Sequence, residues 1–199
     1  MTSEYPRGRA SRDVQTSNTE PALLDARGIS KNFGGVQALD RVDLTVHRGD
    51  VVGLIGPNGA GKTTMFNVIC GLRPAAGRVY FKGTDVTGLP PHRVCRHGIA
   101  RTFQLTRPFV ELSVRDNVAA AARFGRSGER EPSLAEARER ADAVLHRVKL
   151  DRRGAALAGD LLFSERRRLE LARALATGPE LLCLDEVMAG LTEIGRAHV

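Results

Sequence analysis

The stretch Gly56–Thr64 reads GPNGAGKTT and follows the apolar run Val51-Val52-Gly53-Leu54-Ile55. Gly56, Gly61, Lys62 and Thr63 satisfy the spacing G-x-x-x-x-G-K-[ST]. The setting is the one that spacing needs: a short buried strand before it and, announced by Met65, Phe66 and Ile69, a helix after it. Glycines let the loop turn back on itself with successive N–H groups pointing inward, so that a polyphosphate can nest against unpaired donors at the positive end of the next helix. Pro57, Asn58, Gly59, Ala60 and Thr64 complete this cradle. Lys62 adds a point charge for β and γ oxygens, and the Thr63 hydroxyl is placed to coordinate Mg²⁺. The competing reading is a glycine-rich turn with an incidental lysine, and it leaves both flanking elements unexplained.

Composition narrows the classes. The chain has 199 residues and 42% hydrophobic content, enough for one substantial core. No apolar run approaches the roughly 18 residues of a membrane span, and the N-terminus lacks a charged-then-apolar leader pattern. The cytosol is therefore the expected compartment. Cys70, Cys95 and Cys183 are widely spaced and read as reduced thiols, Cys183 as a core residue of an apolar strand. The net charge of +7 invites a nucleic-acid partner, but the cations are scattered, mostly arginine, and aromatics are only 5%, so no stacking platform is expected.

Residues 1–20 are polar and aperiodic and are expected to form a disordered tail. Ala22–Arg27 and the alternating Val42–Val46 read as antiparallel strands, with Gly34-Gly35 and Arg48-Gly49-Asp50 as turns. Gly71 ends the helix after the loop, and Arg78–Phe81 reads as a strand. A short helix starts at Pro90-Pro91 and stops at Gly98, Ile99–Phe103 is a strand leading to Gln104, and Gly125–Pro132 a charged linker. Ser133 and Glu136 match a capping box ahead of a helix striped by Ala137, Ala141, Val144, Leu145 and Val148. A further helix over Ser164–Ala176 ends at Gly178-Pro179. Leu181–Leu184 then reads as a buried parallel strand carrying Asp185 and Glu186 at its end.

A phosphate loop, a glutamine after a strand and an apolar strand ending in Asp-Glu occur here in one order. That set resembles the nucleotide-binding subunits of ATP-binding-cassette (ABC) transporters. FGGVQALDRVDL, GPNGAGKTT and RTFQLTRPFVELSVRDNV look closest to the cytoplasmic ATPase of branched-chain amino acid importers, with urea-importer or lipopolysaccharide-exporter relatives sharing much of the pattern. The resemblance spans roughly Leu23 to Thr192. It implies that Phe33 stacks on adenine, Gln104 sits at Mg²⁺ and the attacking water, Asp185 holds Mg²⁺ through water, and Glu186 polarises that water. The plainer readings are a half-buried aromatic, a loop glutamine and a solvated acidic turn. As partners it implies a second ATPase subunit, membrane permeases, and, indirectly, an extracytoplasmic solute-binding protein, at the cytoplasmic face of the membrane. Nucleic acid is not expected: the span from Lys62 to the helix over Ser164–Ala176 leaves no room for a long coiled-coil insert.

The chain departs from the resemblance in two places. Where relatives carry a signature resembling LSGGQ, this sequence reads Leu161-Leu162-Phe163-Ser164-Glu165. Leu162 cannot donate a hydrogen bond, and Ser164 puts bulk where backbone would approach phosphate, while leaving a side chain able to cap the helix. Weakened hydrolysis is expected. Val187 stands where proline is usual. The last residues, Glu193–Val199, read EIGRAHV, which matches a translated sequencing-library adapter; they are expected to be an artefact, which removes His198 as a switch histidine. The expected fold is α/β, a P-loop ABC-type nucleotide-binding domain over residues 21–192, truncated at its C-terminus. It would have a parallel central sheet, an N-terminal antiparallel β-region and a helical subdomain over about 108–176. Two alternatives stand beside ATP-driven import: a nucleotide-binding fragment without turnover, and an ATPase subunit serving another solute.

Overall fold

The computed structural model describes residues 21–102, 108–125 and 131–185. The tail over 1–20, Gln104, most of the charged linker, and everything from Glu186 onward, including Val187 and Glu193–Val199, lie outside the described residues.

Strands β1 (Leu24–Phe33) and β2 (Val36–Val46) form one long antiparallel hairpin, registered from Phe33 opposite Val36 to Leu24 opposite Val46. The sequence suggested two shorter strands. The ladder instead continues to Gly34-Gly35, where φ of 50° and 87° closes a turn that side-chain-bearing residues resist. Polar residues such as Lys31 and Asn32 hide this extension from hydrophobic patterning, because backbone pairing does not require an apolar side chain. β3 (Ala76–Phe81) joins the free edge of β1, and β4 (Thr84–Asp85) follows, giving the order β2-β1-β3-β4.

Helix α1 (Lys62–Ile69) packs Met65, Val68 and Ile69 into one core with Leu24, Ala26 and Ile29 of β1 and Val79 and Phe81 of β3. α2 (Pro91–His97) begins on a proline, whose missing N–H costs nothing in a first turn, and Gly98 stops it. β5 (Ile99–Arg101) pairs in parallel with β6 (Leu181–Cys183), bringing Arg101 opposite Cys183.

A second core lies among α3 (Val114–Phe124), α4 (Leu134–Arg147) and α5 (Phe163–Ala176). Its alanines, including Ala119, Ala122, Ala137, Ala141 and Ala172, let the helices approach closely. The capping box of α4 is formed: Glu136 N–H donates to Ser133 Oγ at 3.3 Å and Ser133 N–H to Glu136 Oε2 at 2.7 Å.

Val51–Ile55 is not the buried strand its composition suggests. It makes no ladder with any described strand, and Val51 and Ile55 are 101% and 98% exposed. A strand needs a partner for its N–H and C=O groups. β5 and β6 pair with each other and not with this run.

Candidate functional site

The Gly56–Thr64 loop leads directly into α1. Gly61 is the N-cap, with φ 85°, and its carbonyl accepts the N–H of Met65 at 2.8 Å. The N–H groups of the turn between them have no partner within the helix and face outward at its positive end. Lys62 Nζ donates to Gly56 O and to Pro57 O, each at 2.8 Å, folding the ammonium back across the loop. Phosphate oxygens would compete for those same donors.

Loop and helix start form one wall of a cavity of about 550 Å³, lined by Asn58, Gly59, Gly61, Lys62, Thr63 and Thr64. Ala38 and Phe66 also line it, as do Leu184 and Asp185, just past β6. Asp185 is 5% exposed and carries a buried ion pair, its Oδ2 accepting from Arg101 at 2.7 Å. Arg101 also donates to Asn67 Oδ1 of α1, and Asp185 N–H donates to Thr102 Oγ1 at 3.3 Å. One arginine thus ties α1, β5 and the end of β6 together. Removing either partner of such a buried pair costs about 3–5 kcal/mol. Sequence reading missed Arg101, whose only signal was a cation closing a short apolar strand.

The structure does not bring Phe33 to this cavity. Phe33 sits 48% exposed at the hairpin tip and lines a different hollow, of about 820 Å³, with Gly71, Leu72 and Arg101. Lys31 holds it there: its Nζ donates to Arg73 O at 2.8 Å and lies 5.4 Å from the centre of the Phe33 ring. Gln104 and Glu186 lie outside the described residues.

At the altered signature, Leu162 is the N-cap of α5 and is 70% exposed, as is Phe163 at 63%. Ser164 does not cap the helix, because the helix already begins at Phe163 and Ser164 lies within its first turn. The cap is supplied from inside: Glu165 Oε2 accepts Leu162 N–H at 2.9 Å, while its Oε1 pairs with Arg153 at 3.2 Å. Another feature invisible in the sequence is Asn117, fully buried in α3. It accepts from Phe109 N–H at 2.8 Å and donates to Phe109 O at 2.9 Å, pinning the segment ahead of the helix.

Among the described residues no three His, Cys, Asp or Glu side chains converge as a metal site, and no helix is long and apolar enough to cross a membrane.

An α/β cassette that presents a glycine-rich loop and a helix N-terminus to a strand-end carboxylate is the architecture of a P-loop nucleotide-binding protein. The family model described as ABC transporter matches residues 39–189, and the chain belongs to that family, as an ATP-binding subunit. It is 38% identical over 180 residues to the high-affinity branched-chain amino acid transport ATP-binding protein BraF of Pseudomonas aeruginosa, covering 85% of this chain and 71% of the relative. It is 42% identical over 185 residues to a probable ABC transporter ATP-binding protein of Azorhizobium caulinodans, covering 92% of this chain and 63% of the relative. Among solved structures, the ADP conformation of an ATP-binding cassette of an ABC transporter superposes with a TM-score of 0.74 at 37% identity, over 86% of this chain and 71% of that one. A bacterial ABC transporter cassette described as dimeric gives a TM-score of 0.75 at 27% identity, over 84% of this chain and 75% of that one.

Proposed function

We propose that the cavity between the Gly56–Thr64 loop and Asp185 binds the triphosphate of ATP, and that the chain is one of two ATPase subunits that drive branched-chain amino acid import at the cytoplasmic face of a membrane. One observation carries the site: the ammonium of Lys62, the first turn of α1 and the carboxylate of Asp185 line a single cavity. Phosphate oxygens displace Gly56 O and Pro57 O from Lys62, and the outward N–H groups of the loop share the remaining charge.

The residues present fit Mg²⁺. That ion needs only one or two protein oxygens beside water and substrate phosphates, and Thr63 and Asp185 supply a hydroxyl and a carboxylate on the same cavity, with no imidazole or thiol among its lining. When bound, it neutralises charge on the β and γ phosphates. Gln104 and Glu186 are assigned to the attacking water on their place in the sequence, Glu186 as the group that polarises it. The branched-chain solute rests on the names of the relatives, as do the permease partners; the second subunit rests on the dimeric neighbour.

A fluorescent ATP analogue titrated into the full chain with Mg²⁺ tests the site. Lys62→Ala should weaken binding at least about tenfold, or about 1.4 kcal/mol; unchanged affinity would place the nucleotide elsewhere. A second reading, binding without turnover, is favoured by Leu162, which presents an exposed apolar side chain at the head of α5. Restoring Leu162→Ser with Ser164→Gly should raise phosphate release several-fold. If release does not rise, the altered signature is not what limits hydrolysis. Co-expression with candidate permeases, read as uptake of labelled leucine against urea, tests the solute.

A further inference from the structure

Arg101 does not line the phosphate cavity, yet its guanidinium grips both α1 and Asp185, which do. Nη2 donates to Asp185 Oδ2 at 2.7 Å and Nη1 to Asn67 Oδ1, so one planar fork spans the gap between the helix and the end of β6. Phe66 and Asn67 follow Thr63 by three and four residues, which makes both of them neighbours of Thr63 on the surface of α1. The Phe66 ring, whose centre lies 6.0 Å from Arg101 Cζ, lines the cavity beside Thr63. The grip on α1 is therefore on the side that carries Thr63. Asp185 is fixed a second time through its main chain, its N–H donating at 3.3 Å to Oγ1 of Thr102, the residue after Arg101. The side chains of the ion pair are nearly sealed from water, Arg101 at 8% and Asp185 at 7% exposure. We propose that Arg101 is a positioning residue for the metal: by joining Asn67 to Asp185 it sets the separation of the Thr63 hydroxyl and the Asp185 carboxylate, and with it the Mg²⁺ affinity of the site.

This role rests on the reading of the cavity as a Mg²⁺–ATP site. Mg²⁺ demands near-ideal octahedral geometry, with bonds of about 2.0–2.1 Å, so a site that draws its two protein oxygens from separate elements needs those elements at a fixed distance. Arg101 supplies that constraint from outside the cavity, and holding Oδ2 stops the Asp185 carboxylate from rotating. The positive charge of Arg101 acts the other way, because it repels a dication and weakens the pull of the carboxylate. Orientation and charge separate in a lysine at this position. Lysine keeps the charge, but one ammonium on a flexible stem does not reproduce two donors held in one plane, aimed at Asn67 and at Asp185. If charge were the whole contribution, the exchange would be silent; if the fork positions the oxygens, metal affinity falls.

The full chain and its Arg101→Lys, Asn67→Ala and Lys62→Ala variants, titrated with a fluorescent ATP analogue in excess Mg²⁺ and again in EDTA, decide the matter without any turnover. The quantity read is the ratio of the two affinities. The parent should bind more tightly with Mg²⁺, and Arg101→Lys should lose most of that enhancement, about tenfold, while its affinity in EDTA stays within about twofold of the parent's. Asn67→Ala should lose several-fold of the enhancement; it keeps the buried ion pair, so it tests the grip on α1 alone and still decides should Arg101→Lys fail to fold. Full enhancement in Asn67→Ala overturns the proposal. So does an equal weakening of both affinities in Arg101→Lys, the mark of a merely structural pair. If Lys62→Ala binds as tightly as the parent, the cavity is not the nucleotide site and both readings fall; if it weakens binding while the ratio survives in the other two variants, only the positioning role falls.

Discussion

A Cβ added at Gly61 would meet Ala38 O at 2.4 Å and Leu39 Cδ2 at 2.8 Å, and the backbone there has φ 85°. Both faults act together, since the left-handed conformation is strained for any side chain and the carbonyl of β2 cannot withdraw without opening the hairpin. Gly61→Ala should therefore cost on the order of 1–3 kcal/mol and shift the first turn of α1 away from β2. Urea unfolding together with the nucleotide titration checks this; a midpoint and an affinity both equal to those of the parent chain would mean the loop does not need the close approach. The glycine of the motif is thus bound by packing on β2 as well as by the loop's turn.

At the level of elements, α3 and α4 are held by a charge relay at their ends. Ser113 caps α3 by accepting Asp116 N–H at 3.0 Å and donating to Asp116 Oδ2 at 2.8 Å, while Arg138 of α4 pairs with Asp116 Oδ1 at 2.9 Å. The Ser113 hydrogen bond first, and then Arg138, hold the Asp116 carboxyl below the usual aspartate range. A carboxyl whose folded value is depressed contributes stability that is fully present above its unfolded value of about 3.9 and is lost as pH falls through the folded one. Asp116→Asn should therefore be less stable than the parent chain at neutral pH, and the gap should close in acid below about pH 4. Helical circular dichroism in urea across that range reads it. A gap that stays constant with pH would assign the difference to packing and not to charge.

Across the whole molecule, Glu180 joins the antiparallel sheet to the parallel pair. Only 12% of its side chain is exposed, and it accepts from Arg48 at 2.7 Å, in the turn after β2, and from Lys82 at 2.9 Å, in the turn after β3. Val52 and Leu54 line the cavity beside the Gly56–Thr64 loop, while Val51 and Ile55 are exposed with no described strand against them. Val51→Lys with Ile55→Lys should leave the unfolding midpoint within about 0.5 kcal/mol of the parent and lower the binding of an apolar dye. A large loss of stability would show that this run is covered in solution.

The phosphate loop, its helix, the Gly34-Gly35 turn and the α4 capping box were legible in the sequence, because each is a local contract: residue types within a few positions dictate backbone conformation or satisfy the same few N–H groups. The α/β class and the family followed from the order of such motifs. Arg101, Asn117 and the Glu180 clamp were not legible, since Arg101 finds Asp185 and Glu180 finds Arg48 only after distant segments pack. The orientation of Phe33 was decided by Lys31 and Arg73, and the exposure of Val51 and Ile55 by the want of a neighbouring strand. Sequence by itself determined what each segment can do with its own backbone; which side chains meet, and which apolar runs are covered, depended on tertiary packing, because burial and buried charge pairing belong to two segments at once.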